Sequence, residues 1–107
     1  MKRLTPTQLN EWLDDPQRTK PVMLDVREPW EFQLNHIEGS IHIPMALIPA
    51  RLEDLDPASE MVVICHHGAR SFQAASFLEQ RGFGNLYNLE SGVDGWAKTV
   101  DPTMPTY

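Results

Sequence analysis

The strongest constraint on the fold is the apolar run Met61-Val62-Val63-Ile64, which has no polar residue to turn toward water. A short run that is apolar on both faces is typical of a central strand in a parallel sheet, where helices cover each face. Residues 70–81 follow with the spacing of a helix, and Gly82 stands where a left-handed residue commonly ends one. The residues of this helix predicted to face inward are Ala74, Ala75, Phe77 and Leu78. The pattern predicts a strand–loop–helix unit of an α/β domain.

Shorter elements on either side of this unit complete the pattern. Thr5 can cap a helix that begins at Pro6 and runs through Leu13, and Gln8 completes a capping box. The remaining predicted strands are residues 21–26, 37–43 and 86–89, and the remaining helical segments are residues 28–32, 46–55 and 92–99. This alternation predicts a mostly parallel sheet. A length of 107 residues fits one domain that spans residues 1–107.

The composition argues against two classes of partner. Acidic residues outnumber basic ones, which gives a formal net charge of -6 at pH 7. Such a charge opposes general binding to nucleic acid or to anionic membranes, so we expect neither as a partner. The polar residues 5–8 interrupt the apolar stretch that a signal peptide needs, and no apolar run is long enough to cross a bilayer. We therefore expect a cytoplasmic protein.

The chain has a single cysteine, Cys65. A single cysteine excludes an internal disulfide, a four-thiolate zinc site and a pair of redox-active thiols within the chain. Two interpretations remain, an inert thiol buried in the core and a reactive thiol. The residues around Cys65 distinguish between these two interpretations.

The loop Cys65-His66-His67-Gly68-Ala69-Arg70-Ser71 favours the reactive thiol. It follows the apolar strand at its carboxyl end, which is where ligands bind in open α/β sheets. Its backbone N–H groups and the helix N-terminus after it can converge on negative charge. Gly68 lets the loop curl, and Arg70 adds a permanent positive charge. The same features favour a thiolate over a thiol, so Cys65 is predicted to be a nucleophile.

The same loop resembles the active-site loop of the rhodanese family, whose pattern is Cys-x-x-Gly-x-Arg-Ser. Three further segments resemble the signatures of that family and occur in its order, namely residues 24–32, 36–44 and 92–96. The resemblance implies an α/β fold with a five-stranded, mostly parallel sheet flanked by helices on both faces. It also implies a sulfurtransferase that needs no cofactor.

In such an enzyme Cys65 takes sulfur from a small anionic donor such as thiosulfate and holds it as a persulfide. The acceptor is cyanide in the test tube, and a thiol or a protein in the cell. By analogy, Arg70 orients the donor and backbone amides cradle the terminal sulfur. The residues implied to form this cradle are His66, His67, Gly68, Ala69, Arg70 and Ser71.

Two charged residues near the first predicted strand are candidates for a supporting role. Asp25 ends that strand, and it either orients Arg70 or accepts hydrogen bonds from nearby backbone amides of its own turn. Arg27 is expected to form a structural ion pair with Glu31 or Glu38. For Arg70 a simpler, structural interpretation also stays open, in which it only begins its helix and pairs with a carboxylate.

The remaining chemistry-bearing residues have structural interpretations. His66 and His67 are expected to form pocket wall, because a thiolate needs no general base. None of the four histidines stands at ligand spacing from a cysteine or a carboxylate, so no metal site is expected. Residues 101–107 are predicted to be a surface strap. The residues predicted to lie in the core or at its edge are Trp12, Trp30 and Trp96.

Three other functions compete with sulfur transfer. A cysteine phosphatase of a related fold has one more residue between its cysteine and arginine than the four found here, residues 66–69. A non-catalytic rhodanese-like module that docks partners or senses oxidants often lacks the cysteine or the glycine, and this chain has both. An arsenate reductase resolves its adduct with a second cysteine, which is missing here, or with glutathione.

Overall fold

The run Met61–Ile64 forms β4, the central strand of a five-stranded sheet in the computed structural model, which describes residues 1–107. The strand order is β1-β5-β4-β2-β3, and every pairing is parallel. The other strands are β1 (Lys2–Leu4), β2 (Val22–Asp25), β3 (Ile41–His42) and β5 (Leu86–Leu89). The predicted α/β class with a five-stranded sheet is confirmed.

Helices cover both faces of this sheet. They are α1 (Pro6–Asp14), α2 (Pro29–Leu34), a 3-10 segment (Met45–Asp54), α3 (Ala69–Gln80) and α4 (Gly92–Thr99). Val62 and Ile64 of β4 pack in the apolar cluster of α1 and α4, whereas Met61 and Val63 pack in that of α3. All four side chains are fully buried, which explains why the strand has no polar residue. None of the helices is long and apolar enough to pass through a membrane.

The predicted ends of two helices are confirmed by their capping contacts. The Thr5 hydroxyl accepts a hydrogen bond from the Gln8 amide at 3.1 Å, and the Gln8 side chain accepts one from the Thr5 amide at 2.9 Å. This reciprocal pair is the capping box of α1. Gly82 follows α3 with a φ of 95°, a left-handed conformation that glycine adopts without steric cost.

One predicted strand was too long, and another strand was not predicted at all. The strand predicted at residues 37–43 is reduced to Ile41–His42, because the Ser40 amide turns back to the Ile37 carbonyl at 3.1 Å. The left-handed Gly39 inside that turn prevents extended pairing. The strand Lys2–Leu4 was not predicted, since it is a three-residue edge strand with two charged residues.

Two predictions about large side chains also need correction. Trp12 and Trp96 are buried as expected, but Trp30 is 60% exposed because it lies on the outer side of the first turn of α2. Phe77 of α3 is only partly buried and packs at the margin of the core. The fully buried face of α3 is formed by Ser71, Ala74, Ala75 and Leu78.

Helix α4 is joined to the loop after β4 through backbone groups. The Val93 amide donates to the Cys65 carbonyl at 3.0 Å, and the Asp94 amide donates to the His66 carbonyl at 3.1 Å. Gly92, which opens α4, has a φ of 54°, and a Cβ placed on it would lie 2.2 Å from the Cys65 carbonyl oxygen. Only glycine permits this approach, so Gly92 sets the distance between α4 and the loop.

We predict that Gly92→Ala destabilises the protein by about 3 kcal/mol, because the added methyl group forces α4 away from the loop. Gly84→Ala is the matched control, since no atom lies within 4 Å of the Cβ that it adds. It should change the free energy of unfolding by no more than about 0.5 kcal/mol. Urea denaturation of both variants measures the difference. Equal stability of the two variants would show that Gly92 does not set this contact.

Candidate active site

The Cys65 sulfur lies at the carboxyl end of β4, between β2 and β5. Its side chain is 1% exposed. The Gly68 amide donates a hydrogen bond to Sγ at 3.0 Å. Gly68 has a φ of 113°, a conformation open to glycine and rarely to other residues, and it turns its own amide back toward the sulfur. The predicted curl of the loop at Gly68 is confirmed.

A second contact connects the sulfur to β5. The Cys65 thiol donates to Ser71 Oγ at 3.3 Å, and Ser71 Oγ donates to Asn88 Oδ1. Asn88 Nδ2 in turn donates to the Gly68 carbonyl at 3.1 Å. Asn88 therefore contacts the loop at its middle and at its end, although it was not among the predicted site residues. Its sequence signal is a polar amide inside the apolar strand Leu86–Leu89.

The N-terminus of α3 adds positive potential beside this sulfur. Ala69, Arg70 and Ser71 are the first residues of α3, so their N–H groups have no partner within the helix. The helix dipole places a partial positive charge at this end. The sulfur thus has one amide donor in contact and a helix N-terminus beside it, and such a site suits an anion.

Arg70 is held by a carboxylate on a different element. Its Nη1 and Nη2 donate to the two Glu31 carboxylate oxygens at 2.6 Å and 2.8 Å. The Arg70 hydrogen bonds lower the pKa of Glu31 to about 2, although burial of the carboxylate opposes this. The Glu31 hydrogen bonds raise the pKa of Arg70, although burial of the guanidinium opposes this. The carboxylate pairing considered from the sequence is thus present, and Glu31 is the partner.

Asp25 and Arg27 form a buried pair behind this site. Arg27 Nε and Nη2 donate to the Asp25 carboxylate at 3.0 Å and 2.8 Å, and neither side chain is exposed. The Arg27 amide also donates to Asp25 Oδ1 at 3.1 Å. The prediction that Asp25 orients Arg70 was wrong. The alternative, that Asp25 bonds a backbone amide of its own turn, is confirmed. The expected pairing of Arg27 with Glu31 or Glu38 was also wrong. The buried Arg27 guanidinium needs a charged partner, and the Asp25 carboxylate buried beside it provides one.

Tyr107 reaches the site from the far end of the chain. Its hydroxyl donates to Glu31 Oε2 at 2.6 Å and accepts a hydrogen bond from Arg27 Nη1 at 2.9 Å. Its ring stacks on His66 with the centroids 4.0 Å apart. Burial and the hydrogen bond to Glu31 raise the pKa of Tyr107 to about 12. Residues 101–107 were predicted to be a surface strap. They have a further effect, because they place Tyr107 against the site.

His66 and His67 border the loop, and the structure brings them near Asp94. The two rings stack with centroids 3.8 Å apart, and the candidate ligand atoms of all three residues lie within 4.8 Å of one another. Burial and the neighbouring His67 lower the pKa of His66. The Asp94 carboxylate accepts a hydrogen bond from Lys98 Nζ at 2.9 Å, so it already has a cationic partner. The sequence spacing had not indicated this cluster, and the expectation of no metal site stays a prediction.

We predict that Glu31→Gln lowers the free energy of unfolding by about 2 kcal/mol at pH 7, because it removes the charged acceptor of Arg70. The folded pKa of Glu31 is depressed to about 2, below the unfolded value near 4.3. The stabilisation is therefore complete above the unfolded pKa and is lost as the pH falls toward 2.

Urea denaturation at a series of pH values tests this prediction. The stability difference between wild type and Glu31→Gln should shrink as the pH falls from 5 to about 2.5. Glu38→Gln is the control, because Glu38 is exposed. A difference that stays constant over this range would contradict the coupling of Glu31 to Arg70.

Comparisons with known proteins agree with this geometry. A family model described as a rhodanese-like domain matches residues 5–99. A sulfurtransferase from Allochromatium vinosum is 36% identical over 77 residues, 72% of this chain and 72% of that protein. The thiosulfate sulfurtransferase GlpE from Ectopseudomonas mendocina is 33% identical over 98 residues, 92% of this chain and 86% of that protein. A crystal structure from Staphylococcus saprophyticus has a TM-score of 0.84 and 33% identity, covering 94% of this chain and 97% of that one.

Proposed function

The chain belongs to the family of rhodanese-like domains, and on that basis we propose that it transfers sulfane sulfur through a persulfide on Cys65. The proposed donor is a small anion such as thiosulfate, and the acceptor is a thiophile. Relatives that are named sulfurtransferases support sulfur transfer as the general chemistry. The observation that carries the proposal is the Gly68 amide, which donates to the Cys65 sulfur at 3.0 Å beside the N-terminus of α3.

In the first proposed step, the Cys65 thiolate attacks the outer sulfur of thiosulfate. A bond forms between the two sulfur atoms, and the bond between the outer sulfur and the sulfonate group breaks. Sulfite leaves with that electron pair, and the protein retains a persulfide anion. The charges balance, since a thiolate and a thiosulfate dianion become a persulfide anion and a sulfite dianion.

The loop stabilises negative charge on sulfur in this step. The Gly68 amide and the free N–H groups at the start of α3 are hydrogen-bond donors, and donors stabilise a thiolate or a persulfide anion more than a neutral thiol. They are positioned before the reaction by the backbone, so little reorganisation is required. This role of the loop residues from His66 to Ser71 is part of the proposal.

Arg70 is proposed to orient the donor. A guanidinium has five N–H donors, and the two bonds to Glu31 use one on each terminal nitrogen. The other donors remain for the sulfonate oxygens of thiosulfate. The Glu31 contact restricts the rotamers of Arg70, so part of the entropic cost of donor binding is already met in the free protein.

In the second proposed step, an acceptor attacks the terminal sulfur of the persulfide. The sulfur–sulfur bond to Cys65 breaks, its electron pair returns to Cys65 as a thiolate, and the acceptor leaves with the sulfur. Cyanide becomes thiocyanate, whereas a thiolate becomes a persulfide. No cofactor and no external oxidant is needed, because the sulfane sulfur arrives in the oxidation state in which it leaves.

The length of the loop distinguishes this function from phosphate chemistry. Four residues lie between Cys65 and Arg70. A shorter ring of amides encloses one sulfur atom, whereas a phosphoryl group spreads its charge over a wider shell of oxygens. We therefore infer that the site excludes phosphate esters.

We predict measurable thiosulfate-dependent formation of thiocyanate by the native protein, without appreciable hydrolysis of an aryl phosphate. Both substrates are assayed on one preparation, with Cys65→Ser as the blank. The variant should lose sulfur transfer and keep the thermal unfolding of the wild type, because serine is close to cysteine in size. Phosphate release that depends on Cys65 and exceeds sulfur transfer would reverse the assignment, and so would transfer by a folded Cys65→Ser protein.

A further inference from the structure

Residues 101–107 are held in place beside the active site by contacts that the proposed reaction does not use. Asn35 Nδ2 donates to the Pro105 carbonyl at 2.5 Å, and Met104 packs against the apolar cluster of α1 and α4. The Asp101 amide donates to the Trp96 carbonyl at 3.0 Å, so the segment leaves α4 in a defined direction. These contacts direct the end of the segment toward the loop after β4.

The Tyr107 ring bridges two sides of the site. On the loop side it stacks almost parallel on His66, with an interplanar angle of 10°. On the α2 side its hydroxyl bonds Glu31 and Arg27, and its ring meets the edge of Trp30 with centroids 5.4 Å apart. A side chain held at both ends in this way has a defined position beside the loop, although it is itself 37% exposed.

The Cys65 sulfur has no open approach in this arrangement. The side chain is 1% exposed, although a donor must reach Sγ within bonding distance. The cavity that borders the loop has a volume of about 380 Å³ and is lined by His67, Gly68 and Asn88, among others, but not by Cys65. A reagent therefore has to displace side chains near the loop. Tyr107 connects two parts of this region, since it stacks on His66 and bonds Glu31, the partner of Arg70.

Tyr107 shares the Glu31 carboxylate with Arg70. Glu31 Oε2 accepts from both Arg70 Nη2, at 2.8 Å, and the Tyr107 hydroxyl, at 2.6 Å. Displacement of the Tyr107 ring therefore costs a hydrogen bond to a charged group and an aromatic stack.

We propose that Tyr107 is a specificity-determining residue, whose ring admits small molecules to the Cys65 sulfur and excludes bulky ones. Its relevance to sulfur donors rests on the proposed function. The size selection itself is a property of the folded protein and can be measured without sulfur transfer. Cys65 is the only cysteine, so any reagent that alkylates thiols reports on this one position.

The experiment compares two neutral reagents with the same reactive carbon, iodoacetamide and N-(1-pyrenyl)iodoacetamide. The rate of each with the protein is divided by its rate with glutathione, which removes differences in intrinsic reactivity. The wild-type protein should strongly prefer the small reagent. Tyr107→Ala should reduce this preference by about tenfold, which corresponds to about 1.4 kcal/mol of opening free energy.

Two further variants separate the ring from its hydroxyl and from the segment. Tyr107→Phe retains the stack on His66 and should keep most of the size preference. Thr106→Ala changes an exposed neighbour in the same segment and should leave the preference unchanged. Thermal unfolding verifies that each variant is folded, and Tyr107→Leu replaces Tyr107→Ala if the latter is not.

A folded Tyr107→Ala protein, or Tyr107→Leu in its place, with the wild-type size preference overturns the proposal. An equal loss in Thr106→Ala would also overturn it, because the effect would then belong to the segment as a whole. A wild-type protein that selects by size but forms no thiocyanate from thiosulfate would contradict the proposed function alone. The two conclusions are thus tested separately.

Discussion

The position of the Cys65 sulfur depends on backbone hydrogen bonds from α4. The amides of Val93 and Asp94 donate to the carbonyls of Cys65 and His66, and Gly92 permits the close approach that these bonds require. The loop after these two carbonyls turns back at the left-handed Gly68, whose amide donates to the sulfur. The last signature segment of the chain therefore shapes the loop without supplying a reactive group.

Local charge, rather than the charge of the whole chain, decides what the site can bind. The formal net charge is -6, yet the sulfur faces a helix N-terminus and lies near Arg70. Glu31 neutralises part of that positive charge while it restrains the guanidinium. The proposed donor is accordingly a small anion that can use the remaining donors of the site, and a general attraction for polyanions is not expected.

Local features of the site were predictable from the sequence, and features that depend on distant partners were not. The curl at Gly68 and the capping box at Thr5 follow from residues within a few positions of one another. The bond between Tyr107 and Glu31 spans 76 positions, and no pattern in a single sequence reports such a contact. Asp25 lies only two positions from Arg27, but several other carboxylates were also possible partners for the guanidinium. The Asp25–Arg27 pair is fully buried, and this burial is seen only in the folded structure.

The central claim is that Cys65 holds the transferred sulfur as a persulfide, and intact mass measurement of the protein after incubation with thiosulfate tests it most directly. The account predicts an increase by the mass of one sulfur atom, which is absent in Cys65→Ser and is removed when cyanide is added. An unchanged mass in a folded wild-type protein would contradict the account, and so would an increase that persists in Cys65→Ser.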